Sequence, residues 1–286
     1  MTRKILYSLL MALIAISCTM NKTEKADSDT LNDSIVNTGE MYMLLGTYTS
    51  NEGSRGIYVY KFDTDTGVAD SLSMVEVANP SYLTISPNEE FVYSVGENGE
   101  DDSYAHAFSF DKDSGKLKLI DSQLTYGSSP AYVAVDAQGK NLVTANYGGG
   151  SISQFNILSD GTLSSLSNLY EFGGSGKDSI RQKQPHLHSV RYSPDGEYLF
   201  ATDLGTDKIY RYKTITSVFE GQPTLLKNDS VVFKVPAGTG PRHFDFHPNG
   251  LYFYLLGELS GEVIVYDYNM GDLKQKQTIL HSITKQ

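Results

Sequence analysis

His188, Arg242 and Glu258 are the side chains of this sequence whose types and positions could do chemistry together. A guanidinium can hold a developing oxyanion or an anionic substituent through two parallel hydrogen bonds. A carboxylate or an imidazole can take the proton of an attacking water, and both Glu258 and His188 qualify for that role. Arg242 lies in the run GTGPRHFDFHPNG (238–250) and His188 in HLHSV (186–190). Arg181 and Lys183, in the loop GGSGKDSIRQKQ (173–184), could cradle a phosphate or carboxylate beside them, and His186 is a further candidate for substrate binding.

Other chemistries fit less well. His186 and His188 share a strand face, but no third ligand stands at metal-site spacing, so no metal is expected. The loop is no phosphate-binding P-loop, because Asp178 stands where that motif needs Ser or Thr and no strand-to-helix context surrounds it. His106, His243, His247 and His281 form no usable constellation. The structural alternative makes Arg242 and Glu258 an ion pair between structural units and His188 a histidine satisfied by backbone.

The elements that must position these residues come from a repeat. PSYLTISPNEEFVYSVGEN, PAYVAVDAQGKNLVTANYG, LHSVRYSPDGEYLFATDLG and PRHFDFHPNGLYFYLLGEL begin at Pro80, Pro130, Leu187 and Pro241. Each reads as an alternating strand, a turn of the Pro-Asp-Gly type and a second apolar strand. A third aromatic or aliphatic strand and a more polar fourth follow each copy. Four antiparallel strands at a period of about 50 residues mark a β-propeller blade. With no Trp in the chain, a WD-repeat propeller fits poorly.

The expected fold is therefore all-β, a propeller of four-stranded blades near 41–78, 79–127, 128–183, 184–236 and 237–286. The first blade is incomplete: YMLLGTYTS, RGIYVYKFD and DSLSMVEVA supply its second, third and fourth strands, and none precedes them. No strand remains to close the ring, so an open arrangement with exposed blade edges is expected.

Register then gathers the candidate residues. Six places before the turn positions Pro87, Ala137, Pro194 and Pro248 stand Ser81, Ala131, His188 and Arg242. Ten places after them stand Glu97, Tyr147, Leu204 and Glu258. The first set begins the channel-lining strand, and the second ends the strand antiparallel to it, so both reach one mouth of the channel.

The amino terminus reads differently. Arg3 and Lys4 precede an apolar run that ends in Ala15-Ile16-Ser17-Cys18, so 1–17 resembles a bacterial lipoprotein signal and Cys18 a lipidation site. Residues 18–40 are polar and read as a tether, with 41–286 as the propeller. Such a protein would be exported and membrane-anchored through lipid alone, facing the periplasm or the cell surface, and is expected to be a monomer. A lone cysteine excludes an internal disulfide framework, and a net charge of −11 argues against binding nucleic acid.

LLGTYTS, QPHLHSVRYSPDGEYLFATDLGTDKIYRY and GTGPRHFDFHPNGLYFYLLGELSGEVIVYDY closely resemble the seven-bladed β-propeller lactonase family, from about Met41 onward. The resemblance implies hydrolysis of a sugar lactone, such as 6-phosphogluconolactone, to its aldonic acid without a cofactor. It also implies that His188, Arg242 and Glu258 are site residues, since they match positions proposed as the site in the family's cyclising branch. About five of the family's seven blades are present, so the chain looks truncated at the carboxy terminus. A further family arginine would lie in a missing blade, which is expected to impair turnover. The alternative is a non-catalytic propeller that binds a sugar acid or a protein partner.

Overall fold

The computed structural model describes residues 39–99, 102–215 and 225–280. Cys18, all of 1–17, most of the expected tether and His281 lie outside the described residues. The described residues from Gly39 onward form one compact unit.

Its strands build five antiparallel sheets in chain order. The first has three strands, β1 (Glu40–Leu45), β2 (Gly56–Asp63) and β3 (Ala69–Glu76). Four strands each make up the rest. The second runs β4 (Leu83–Ile85), β5 (Phe91–Gly96), β6 (Tyr104–Asp111) and β7 (Lys116–Leu124). The third runs β8 (Pro130–Val135), β9 (Asn141–Asn146), β10 (Ser151–Asn156) and β11 (Asn168–Glu171). The fourth runs β12 (Leu187–Tyr192), β13 (Tyr198–Asp203), β14 (Lys208–Thr214) and β15 (Leu225–Lys234). The fifth runs β16 (Pro241–Phe246), β17 (Tyr252–Gly257), β18 (Glu262–Asn269) and β19 (Asp272–Leu280).

This is the propeller blade pattern, with an initial three-stranded unit before four complete blades. Among the described residues β1 pairs only with β2 and β19 only with β18, so no sheet closes the arrangement.

The inner hairpins owe their form to one turn. The third turn residue is left-handed each time, at Gly139 (φ 65°), Gly196 (φ 72°) and Gly250 (φ 70°). In the second sheet Glu89 holds the same place at φ 58°, where a side chain is strained.

Apolar residues alternate along the strands, so each sheet offers two faces to its neighbours. The core accordingly lies between sheets. Tyr132, Val143 and Ile152 of the third sheet pack with Leu187, Val190 and Leu199 of the fourth. Phe200 and Ile209 of the fourth pack with Phe244, Phe253 and Ile264 of the fifth. Successive inner strands β4, β8, β12 and β16 are thereby brought side by side.

Candidate active site

The inner strands do not start regularly. In β8 the pairing slips between Pro130 and Tyr132, in β12 between Leu187 and Ser189, and in β16 between Pro241 and Phe244. The residues inside these bulges are Ala131, His188, and Arg242 with His243. A bulge leaves its extra residue outside the ladder and re-aims the side chain. Here each bulge turns its residue toward one end of the inner strands. The Arg242 carbonyl accepts from Ser189 Oγ at 2.9 Å and Thr202 Oγ1 at 2.7 Å, which fixes the bulge of β16 against the fourth sheet.

The result is a cavity of about 410 Å³ lined by Ser81, Ala131, His188, Arg242, Glu97, Tyr147 and Glu258, all from the register positions counted in the sequence. Leu204, the eighth such position, is instead fully buried. Tyr48, Tyr82, Arg181 and His243 complete the wall.

Glu258 is the hub of one side. Its Oε2 pairs with Arg242 Nη1, its Oε1 accepts from Arg181 Nη2 at 2.5 Å, and His188 Nε2 stands 4.0 Å from Oε2. Partial burial alone would push the Glu258 carboxyl up, but hydrogen bonds from Arg181 and Arg242 outweigh it and hold its pKa below the usual range. Burial first, then the charges of Arg242 and His243, depress His188 to about 4, so its imidazole is neutral at pH 7. Its Nδ1 is buried without a hydrogen-bond partner.

Glu97 is the hub of the other side. It accepts from Tyr48 Oη at 2.8 Å and from Ser81 Oγ, with no cation in ion-pair contact among the described residues. The cavity therefore has one pole of guanidiniums around a carboxylate and another of hydroxyls around a carboxylate.

The loop candidates separate. Arg181 enters the wall, and its Nη2 also reaches Tyr147 Oη at 3.3 Å. Lys183 is exposed and does not line the cavity. His186 does not line it either: its ring stacks on Tyr147 at 4.4 Å, and its Nδ1 sits 2.8 Å from the Tyr147 carbonyl. His186 thus braces the tyrosine that packs edge-on against His188 at 5.3 Å. His243, which formed no pattern in the sequence, belongs to the wall, edge-on to His188 at 5.1 Å. The bulge carries it there, and strand alternation by itself would have turned it away from Arg242. Among the described residues no group of three or more His, Cys, Asp or Glu side chains could hold a metal ion.

Antiparallel blades side by side, with an arginine-bound carboxylate and a neutral histidine at one end of their inner strands, define a site of the β-propeller class. Over residues 42–284 the chain belongs to the lactonase family of 7-bladed β-propellers. It is 38% identical over 234 residues to a 6-phosphogluconolactonase of Formosa agariphila, covering 81% of this chain and 65% of that protein. A Bacteroides fragilis chain of known structure matches with a TM-score of 0.83 at 45% identity, over 87% of this chain and 70% of that one. The periplasmic gluconolactonase of Pseudomonas aeruginosa matches with a TM-score of 0.78 at 34% identity, over 86% of this chain and 69% of that one. This chain therefore spans 65% of the length of the Formosa relative.

Proposed function

We propose that the protein hydrolyses a sugar lactone of the gluconolactone or 6-phosphogluconolactone type to the aldonic acid. The observation that carries this reading is the cluster of Arg242, Arg181 and Glu258 beside a neutral, buried His188 in a cavity of about 410 Å³. The names of the Formosa and Pseudomonas relatives support it.

In this mechanism the lactone carbonyl oxygen takes the place of Glu258 on Arg242. Water adds to the carbonyl carbon, and its proton passes to the neutral imidazole of His188. Arg242 stabilises the oxyanion, while Glu258, released from one guanidinium and 4.0 Å from His188 Nε2, stabilises the imidazolium. Collapse breaks the bond to the ring oxygen, which receives the proton back from His188. The carboxylic acid so formed loses its proton to solvent, and the product carboxylate leaves paired with the arginines. Tyr48, Ser81 and Glu97 offer donors and an acceptor to the hydroxyl groups of the sugar.

The test is a pH-stat assay of the purified chain against gluconolactone, 6-phosphogluconolactone and related sugar lactones, each with its spontaneous rate subtracted. Turnover that is lost in His188→Asn and Arg242→Ala is expected. A wild type that leaves every lactone at the uncatalysed rate would refute the proposal.

We also propose that 1–17 is a signal, that Cys18 is lipidated and that the enzyme works as an exported, anchored monomer. The small residues before Cys18 and the periplasmic relative support this. Palmitate labelling should disappear in Cys18→Ser, and labelling that survives would remove the anchor. Light scattering of the soluble part should give the monomer mass.

A further inference from the structure

The two guanidiniums that bracket Glu258 come from chain segments with no sequence proximity, yet both segments are bound to one carboxylate. Asp207 ends the turn between β13 and β14 and is buried. Its Oδ1 accepts from the backbone N–H of Gly240 at 2.8 Å, two residues before Arg242, and its Oδ2 accepts from Gly238 N–H at 2.7 Å. Oδ1 also accepts from Gln182 Nε2 at 2.8 Å, the neighbour of Arg181. Gln182, itself buried, donates to the Leu204 carbonyl at 2.8 Å and accepts from Asp178 N–H at 2.9 Å. The loop that carries Arg181 is thus closed on Gln182, and Gln182 is closed on Asp207.

The backbone of Asp207 is the second observation. It is left-handed, at φ 54°, in the last turn position before the third strand of its blade. The same position is Gly150 (φ 58°) in the third sheet and Gly261 (φ 70°) in the fifth. Glycine therefore satisfies this turn in both neighbouring blades, and an L side chain is strained there. Asp tolerates this conformation better than most L residues, and the hydrogen bonds its carboxylate accepts offset the strain that remains.

We propose that Asp207 is a positioning residue that sets Arg181, through Gln182, and Arg242, through Gly240, at the distance at which both can engage Glu258 and then the substrate. Its kinetic consequence rests on the lactonase reading, and its structural consequence does not. Misplacing catalytic groups by about 1 Å costs on the order of 100-fold in rate.

Asp207→Gly is the decisive variant, because glycine is the residue this turn accepts in the adjacent blades and the fold should survive. Hydrogen exchange measured by mass spectrometry should rise about tenfold or more in the segment 236–242, where the Gly238 and Gly240 amides lose their acceptor, and rise also in 176–184, where the Gln182 side chain that closes the loop loses its anchor. Gln182→Leu should raise exchange in 176–184 alone. In lactone assays Asp207→Gly should lower kcat/KM about 100-fold while Lys116→Ala, on an outer strand, leaves it unchanged. Gln182→Leu should lower kcat/KM about tenfold in the wild type and have no further effect in Arg181→Ala, which a general loss of stability would not reproduce. Unchanged exchange in Asp207→Gly, or an equal loss from Gln182→Leu in both backgrounds, would overturn the proposal. A wild type without lactone turnover would remove the lactonase reading and leave the exchange measurement to decide the clamp.

Discussion

Arg242 and Glu258 stand 16 residues apart at the inner ends of the adjacent strands β16 and β17, and their ion pair is shared by Arg181 from 77 residues away in the chain. Two positive charges on one partly buried carboxylate leave the cluster with a net positive charge. That excess suits an anion or an oxyanion, and it sets the expectations below.

Arg242→Ala should lower kcat/KM for a sugar lactone by about 100- to 1000-fold, the range for losing one oxyanion donor. Arg242→Lys should not restore it, because a lysine cannot offer the paired donors of a guanidinium. Steady-state titration of released acid measures both. Full turnover in either variant would contradict the role given to Arg242.

The pH profile follows from His188. A base whose pKa is about 4 in the free enzyme stays neutral down to mildly acid pH, so kcat/KM should hold its plateau to about pH 5 and fall below it. An acid limb centred at 6.5, the ordinary histidine value, would show that another group is the base.

Stability should also respond to acid, and His106 isolates the effect away from the cavity. Burial depresses His106 from 6.5 to about 4, so the unfolded chain binds the proton more readily. Its contribution is fully present above pH 6.5 and is lost as pH falls toward 4, by up to about 3 kcal/mol. His106→Gln should flatten the slope of unfolding free energy against pH in that window. Urea unfolding at pH 7 and pH 5 provides the comparison, and an unchanged slope would assign the acid sensitivity elsewhere.

The hairpin turns give a matched pair. At Gly196 an added Cβ meets nothing within 4 Å, so Gly196→Ala changes only the backbone and should destabilise by about 1 kcal/mol. Glu89→Gly at the equivalent turn should be neutral to stabilising, because relief of strain exceeds the loss of an exposed pair with Lys112. Thermal melts of the two variants should move in opposite directions or differ by several degrees.

What the sequence determined by itself is everything that depends on local period. The turn positions at Pro87, Ala137, Pro194 and Pro248 set the register of each inner hairpin, and register alone placed Ser81, Ala131, His188, Arg242, Glu97, Tyr147 and Glu258 around one cavity. The three strands that the initial sheet has among the described residues were equally legible, because each carries its own alternating run. Only the tertiary structure decided the rest. Arg181 and Lys183 are two residues apart in one loop, and nothing local distinguishes them. Gln182 and Asp207 carry Arg181 into the cavity, while Lys183 is left to solvent. His186 and His188 share an apparent strand face until the bulge at Leu187 separates them, and the bulge of β16 brings His243 in beside Arg242. The protonation of His188 depends on burial by neighbouring blades and on a charge contributed by another sheet. Periodicity sets which way a side chain points within its own hairpin, whereas contacts between blades and the desolvation they cause arise only when the sheets pack.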